Sequence, residues 1–135
     1  MISVITSTIG RPELRQCIES TAKQTIKCTH YVFVNGPRFH ASAKAILDDY
    51  PEVKAFYLPE ETGDYGVGPS MADVFAAGPF LTRSKWVCFL DDDNWFDETH
   101  VESLWLLASK HNLKWAFSLR KLVAPNGEFI CKLRS

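Results

Sequence analysis

Apolar and polar positions along this chain fall into short segments whose period switches between that of strands and that of helices. Residues 2–6, Ile-Ser-Val-Ile-Thr, are rich in β-branched side chains and predict a first strand, followed by a polar turn over residues 6–10. Pro12 suits the opening of a helix, where its missing N–H has no partner to lose, and Leu14, Cys17, Ile18 and Ala22 then recur at helical spacing up to about residue 25. Residues 30–34, His-Tyr-Val-Phe-Val, predict a second strand, stopped by Asn35-Gly36-Pro37. Ala43, Ile46, Leu47 and Tyr50 predict a short helix that ends before Pro51, and residues 53–58 a third strand. A glycine-rich stretch over residues 59–69 has no apolar periodicity and leads into a helix carrying Met71, Val74 and Phe75. Trp86-Val87-Cys88-Phe89-Leu90 is an unbroken apolar run, which suits a central strand covered on both faces. Val101, Leu104, Trp105 and Ala108 mark a helix over residues 97–110. Residues 114–119 and 129–131 then flank Asn126-Gly127, a strong hairpin signal. Strands alternating with helices predict an α/β fold with a mainly parallel sheet and an antiparallel margin at the carboxyl end.

Composition narrows the class without changing that picture. At 135 residues the chain reads as a single domain, residues 1–135, able to bury about two-thirds of its unfolded surface. A 46% hydrophobic and 23% charged composition excludes a disordered or coiled-coil class. No run approaches the ~18 apolar residues of a membrane span, and the amino terminus lacks a basic region and a cleavage site, so the expected location is intracellular, in the cytoplasm. Cys17, Cys28, Cys88 and Cys131 contain no Cys-x-x-Cys pair and read as reduced packing residues. His30, His40, His100 and His111 have no metal-ligand spacing; His100 alone lies near the acidic residues described next. A net charge of −1 with no basic run offers no footprint for nucleic acid or an anionic membrane, which leaves a small ligand as the expected partner.

The candidate chemistry lies in Asp91-Asp92-Asp93, three consecutive carboxylates at the end of the buried apolar run. In open α/β sheets, ligands bind outside the carboxyl ends of the strands, where the strand order reverses. Three adjacent acids repel one another, and a divalent cation removes that repulsion. Mg²⁺ or Mn²⁺ is commonly held by one or two carboxylates, with waters and substrate phosphate oxygens filling the other positions. The competing reading is a solvated loop, with Asp97 as the N-cap of the following helix. Trp95-Phe96 directly after the triplet argues for the metal–nucleotide reading and Asp97 keeps its capping role. Two other nucleotide folds lose support: Gly66-x-Gly68 is followed by Met71 where a dinucleotide fingerprint needs glycine, and no phosphate-loop Gly-Lys-Thr/Ser occurs.

Three features together resemble the family 2 glycosyltransferases of the GT-A fold over residues 2–123. They are a first strand entering a polar turn and Arg11-Pro12-Glu13-Leu14, a second strand ending in a short polar turn, and a small-residue helix before Trp86-Val87-Cys88-Phe89-Leu90-Asp91-Asp92-Asp93. The last resembles the family's Asp-x-Asp element. The resemblance implies a Rossmann-like sheet of nucleotide-sugar-binding type with helices on both faces. It also implies a UDP-sugar donor and Mn²⁺ or Mg²⁺ held by Asp93 and Asp91, with Asp91 near the ribose or sugar and Asp92 at the nucleotide. Thr6, Ser7, Thr8 and Arg11 would line the base and ribose pocket, Arg11 being equally readable as an exposed first-turn residue. Asp64, Ser70 and Asp73 would be further contacts, with capping as the other reading of Ser70 and Asp73. Asn35 stands where the family usually has an acidic residue; its amide can bond a base but is not a pure acceptor pair for a ribose diol.

The second departure is length. Ser135 falls where family members usually continue into the segment that supplies the acceptor site and the general base, which predicts either a fragment or a minimal enzyme; Met1 directly before the first strand predicts a complete amino terminus. No residue after Asn94 stands out as the base, since Asp97 is read as a cap and Glu128 lies in a hairpin turn. Donor binding with slow turnover is therefore expected, unless a second copy or a partner closes the site through the apolar face of residues 101–107, Trp105 and Trp115. A non-catalytic nucleotide-sugar binding module and a metal-dependent nucleotidyltransferase are the alternatives. The acceptor is not legible.

Overall fold

The computed structural model describes residues 1–62, 71–124 and 126–132. Four strands, β1 (Ile2–Thr8), β2 (Cys28–Val34), β3 (Lys54–Tyr57) and β4 (Trp86–Phe89), form one sheet in the order β3-β2-β1-β4, with every pairing parallel. The connections are helical: α1 (Leu14–Ala22), a 3-10 turn (Pro37–Phe39) running into α2 (His40–Leu47), and α3 (Ala72–Thr82). Then come α4 (His100–Lys110) and a hairpin of β5 (Lys121–Val123) and β6 (Phe129–Lys132). The chain divides into two compact units, Met1–Val101 and Glu102–Ser135, with the boundary inside α4.

In the first unit the sheet is covered on both faces, because alternate residues of β1 feed separate cores. Val4 and Thr6 meet Cys17 of α1, while Ile5 packs with Tyr31, Phe33 and Val74, the last from α3. A larger cluster on the α1 and α2 side joins Leu14 and Ile18 to Val32, Val34, Ala43 and Ile46. All seven residues of β1 are buried, as a strand flanked on both edges and both faces requires. Gly78 explains how α3 lies so close: a Cβ there would stand 2.8 Å from Ile5 Cδ1. That helix runs on through Pro79 and stops at Arg83, which is left-handed at φ 52°.

Three expectations change. Ser7 and Thr8 belong, with Thr6, to β1 rather than to the turn, since the backbone continues the ladder with β2 as far as Val34. The apolar run 86–90 is an edge strand among the described residues, not a central one: Trp86, Val87 and Cys88 are half-buried, and Phe89 is 48% exposed. Residues 114–120 carry no strand, and the hairpin instead pairs Lys121–Val123 with Phe129–Lys132. Its turn is where Asn126-Gly127 placed it, with Gly127 at φ 83° and the Ala124 N–H bonded to the Glu128 carbonyl at 2.8 Å. Among the described residues no helix is long and apolar enough to cross a membrane.

Candidate functional site

The sheet order sets the place to look. β2 and β3 lie on one side of β1 and β4 on the other, so the strand order reverses between β1 and β4, and the carboxyl ends of these two strands are the switch point at which open α/β sheets have their ligand crevice. Two loops reach that edge: Ile9-Gly10-Arg11 from β1 and Leu90-Asp91-Asp92-Asp93 from β4. Gly10 makes the first turn feasible. It sits at φ 74°, and a Cβ on it would lie 2.8 Å from the Ala43 backbone nitrogen.

The three acids have three different environments. Asp92 is buried, 4% exposed; its Oδ2 accepts the Thr8 hydroxyl at 2.7 Å and the Ile9 N–H at 3.3 Å. Thr8 Oγ1 in turn accepts the Gly10 N–H at 2.9 Å, so one hydroxyl ties the two loops together. Burial pushes the Asp92 carboxyl above its ordinary range, against the lowering effect of Thr8, Arg11 and the Ile9 N–H. Asp93 is half-exposed and forms an ion pair with Arg11 Nη1 at 2.9 Å; Arg11 Nε also lies 3.9 Å from Asp92 Oδ1. Asp91 is partly buried and accepts Asn94 Nδ2 at 3.1 Å, while the Asn94 N–H bonds the Asp91 carbonyl at 3.1 Å. The middle acid thus anchors the loop from inside, and its neighbours project from a fixed turn. A sequence motif presents these carboxylates as equivalent, and their burial distinguishes them.

The segment after the triplet is held by α1 and the residues just past its end, which carried no signal in the sequence. Ser20 Oγ accepts the Phe96 N–H at 3.2 Å, and Gln24 Nε2 donates to the Asp97 carbonyl at 2.8 Å. Gln24 Oε1 accepts the Val101 N–H at 2.9 Å, which supplies one of the partners that the first turn of α4 lacks within the helix. This cap comes from 77 residues away, so no local pattern announces it. An open cavity of about 250 Å³ lies between α1 and residues 95–98. Its charges, Glu19, Lys23, Asp97 and Glu98, are mixed and give no net attraction for a diphosphate.

The remaining predicted residues divide by burial. Thr6 is fully buried, its hydroxyl 2.9 Å from His30 Nε2 and 3.6 Å from Cys17 Sγ, so it belongs to the packing beneath the site rather than to its surface. Ser7 is also buried. Asn35 is 1% exposed and holds the next loop: Oδ1 accepts the Thr62 N–H at 2.8 Å and the Thr62 hydroxyl at 3.1 Å, and Nδ2 donates to the Thr62 carbonyl at 3.4 Å. Its own N–H bonds the Thr8 carbonyl at 2.9 Å, which places this clamp beside the acidic loops. Asp73 is exposed in the first turn of α3, where a carboxylate interacts favourably with the helix dipole. Asp64 and Ser70 lie outside the described residues. The crevice therefore has a buried frame of Thr8, Asn35 and Asp92 and a surface of Arg11, Asp91 and Asp93.

Asp91 and Asp93 are oxygen donors that could contribute to a hard divalent ion only if most of its ligands came from elsewhere. No group of three or more His, Cys, Asp or Glu side chains arranged to hold a metal occurs among the described residues. Asp93 nevertheless already holds a cation, the Arg11 guanidinium, so the position suits positive charge. The thiols do not compete: all four cysteines are free, and burial pushes Cys17 and Cys88 up to about 12 and about 11, which keeps them protonated.

The first unit is thus an open parallel α/β sheet with polar and acidic loops at its switch point. The sequence profile described as "Glycosyl transferase family 2" matches residues 3–124, and the chain belongs to that family. No curated protein matches it. Among solved structures it resembles TarS of S. aureus at 17% identity and a TM-score of 0.59, over 90% of this chain and 21% of that one. It also resembles TarS 1–349 in complex with UDP-GlcNAc, at 19% identity and a TM-score of 0.60, over 82% of this chain and 32% of that one. At such identities the likeness is one of fold, a GT-A glycosyltransferase fold. The chain spans about a fifth to a third of the TarS chains it matches.

Proposed function

We propose that this chain is the donor-binding part of a glycosyltransferase that takes a nucleotide sugar, a UDP-sugar in the first instance, with Mn²⁺ or Mg²⁺ bound at Asp93 and Asp91. The observation that carries the reading is the division of labour in the triplet: one buried, anchored carboxylate sets the position of two accessible ones at the switch point of a family 2 domain. Asp92, held by Thr8 and the Ile9 N–H, fixes the loop. Asp93 and Asp91 would hold the ion, which supplies a Lewis acid to the charge developing on the departing nucleoside diphosphate. Arg11, already beside Asp93, would be at hand to meet a phosphate oxygen, and the Asn35–Thr62 clamp holds the neighbouring loop in place. UDP as the base-bearing part draws support from the UDP-GlcNAc complex of a protein with the same fold. The acceptor hydroxyl needs a base within about 3 Å, and the described residues offer no candidate at this edge beyond the acids already engaged; slow turnover by this chain alone follows. A cytoplasmic setting and completion by a second copy belong to the same proposal.

Calorimetric titration with UDP tests it. Binding should weaken at least tenfold when EDTA replaces Mn²⁺, because the acids then repel the diphosphate. Asp93→Asn should lose most of the metal-supported affinity while keeping its melting temperature. Metal-independent UDP binding of equal strength would refute the reading.

A further inference from the structure

The cation on Asp93 in this structure is part of the protein. Arg11 Nη1 stands 2.9 Å from Asp93 Oδ2 and Arg11 Nε 3.9 Å from Asp92 Oδ1, so the guanidinium spans the anchored acid and the accessible one. Asp92 cannot turn away, being fixed by Thr8 and the Ile9 N–H. Arg11 can: its side chain is 44% exposed, and so is nearly half of Asp93. A guanidinium on Asp93 Oδ2 and a divalent ion on the same carboxylate repel each other, so each weakens the hold of the other. Yet the guanidinium keeps a second use once displaced, since its planar fork matches a phosphate as well as a carboxylate.

We propose that Arg11 is an internal counter-cation. It closes the Asp92–Asp93 pair while no donor is bound, yields Asp93 to the incoming metal, and passes to the donor's diphosphate. The inference rests on the metal–nucleotide reading above and adds to it an order of events: ion and nucleotide favour each other because the first releases the arginine that the second uses. An exposed ion pair is weak, so the exchange is close to balanced and the competition amounts to about two- to fivefold in metal affinity. A purely structural pair makes a different prediction, in which loss of Arg11 changes stability and leaves metal affinity untouched.

The test is a Mn²⁺ titration followed by the electron paramagnetic resonance signal of free Mn²⁺, on the full chain, with and without UDP. Without UDP, Arg11→Gln should bind Mn²⁺ about two- to fivefold more tightly than the wild type, and Arg11→Lys, which keeps the charge, should stay near the wild type. With UDP the order should reverse, the Gln variant holding the ternary complex more weakly. Opposite signs from one substitution are the signature, and misfolding cannot produce a gain. Equal or weaker Mn²⁺ binding by Arg11→Gln alone, in a protein whose wild type does take Mn²⁺ with UDP, overturns the inference and spares the functional reading. Failure of the wild type to take Mn²⁺ even with UDP overturns both.

Discussion

Met1–Val101 and Glu102–Ser135 are built from comparable local patterns and reach opposite outcomes. In the first unit, β1 and β2 bury their apolar side chains under helices on both faces. In the second, Ala108 is the one buried hydrophobic side chain among the described residues, while Leu107, Trp115, Phe117, Leu122 and Ile130 are exposed. Trp115, Phe117 and Leu119 alternate as a strand should, and no strand forms there. Alternation reports which side of a pleat is apolar; only a facing surface turns that into stability. A two-stranded hairpin such as β5–β6 has little of its own.

Substitutions should separate the units by size of effect. Ile5→Ala removes a fully buried side chain from between α3 and the sheet and should lower unfolding free energy by about 2–5 kcal/mol in urea titrations. A loss under 1 kcal/mol, roughly the range for tolerated core swaps, would mean that α3 closes the gap and that the first unit is softer than its burial implies.

Acid should act on the first unit as well. Burial lowers His30 to about 4 from the ordinary 6.5, with Nδ1 lacking a hydrogen-bond partner. Between those values the unfolded chain takes a proton that the folded chain refuses, so stability is intact above pH 6.5 and falls as the pH drops towards 4. The loss over that window is roughly 3 kcal/mol at most. Asp92 works the other way, because its raised carboxyl gains from protonation in acid. Thermal melts of the wild type and His30→Gln against pH should show the fall between pH 6.5 and 4 only in the wild type.

Asp92→Ala leaves the Thr8 hydroxyl and the Ile9 N–H without their partner and should cost about 1–3 kcal/mol. Asp92→Asn keeps an acceptor for both and should cost less. If Asn and Ala are equally damaging, the charge rather than the hydrogen bonding holds the loop. The smallest effect belongs to the second unit: Ile130→Ala, at a side chain 61% exposed, should stay within about 0.5 kcal/mol. A larger loss would show that the hairpin is covered in solution.

The strand–helix alternation made the parallel sheet legible, because each element of residues 1–62 carries its own period and its own stop signal. β4 was misplaced for a physical reason: an apolar run states that a strand is apolar, not where it stands in the sheet. Asp91, Asp92 and Asp93 were legible as a cluster, but not as an anchor with two projecting neighbours, since Thr8 lies 84 residues away. Gln24, Ser20 and Thr62 were invisible for the same reason, being ordinary polar residues whose importance comes from partners distant in sequence.

That separation also has a meaning in time. The bond between Thr8 and Asp92 closes a loop of 84 residues, and such a closure is entropically unfavourable until β2 and β4 have docked on β1. The crevice is therefore expected to form among the last features of the folding chain, after the core that supports it. During synthesis, a chain that has not yet emerged past residue 92 has its first loop but lacks the acidic loop that completes the site, so ligand cannot engage both until most of the domain exists. Under the proposed function, capture of a nucleotide would then report completion of folding as well as the presence of the ligand.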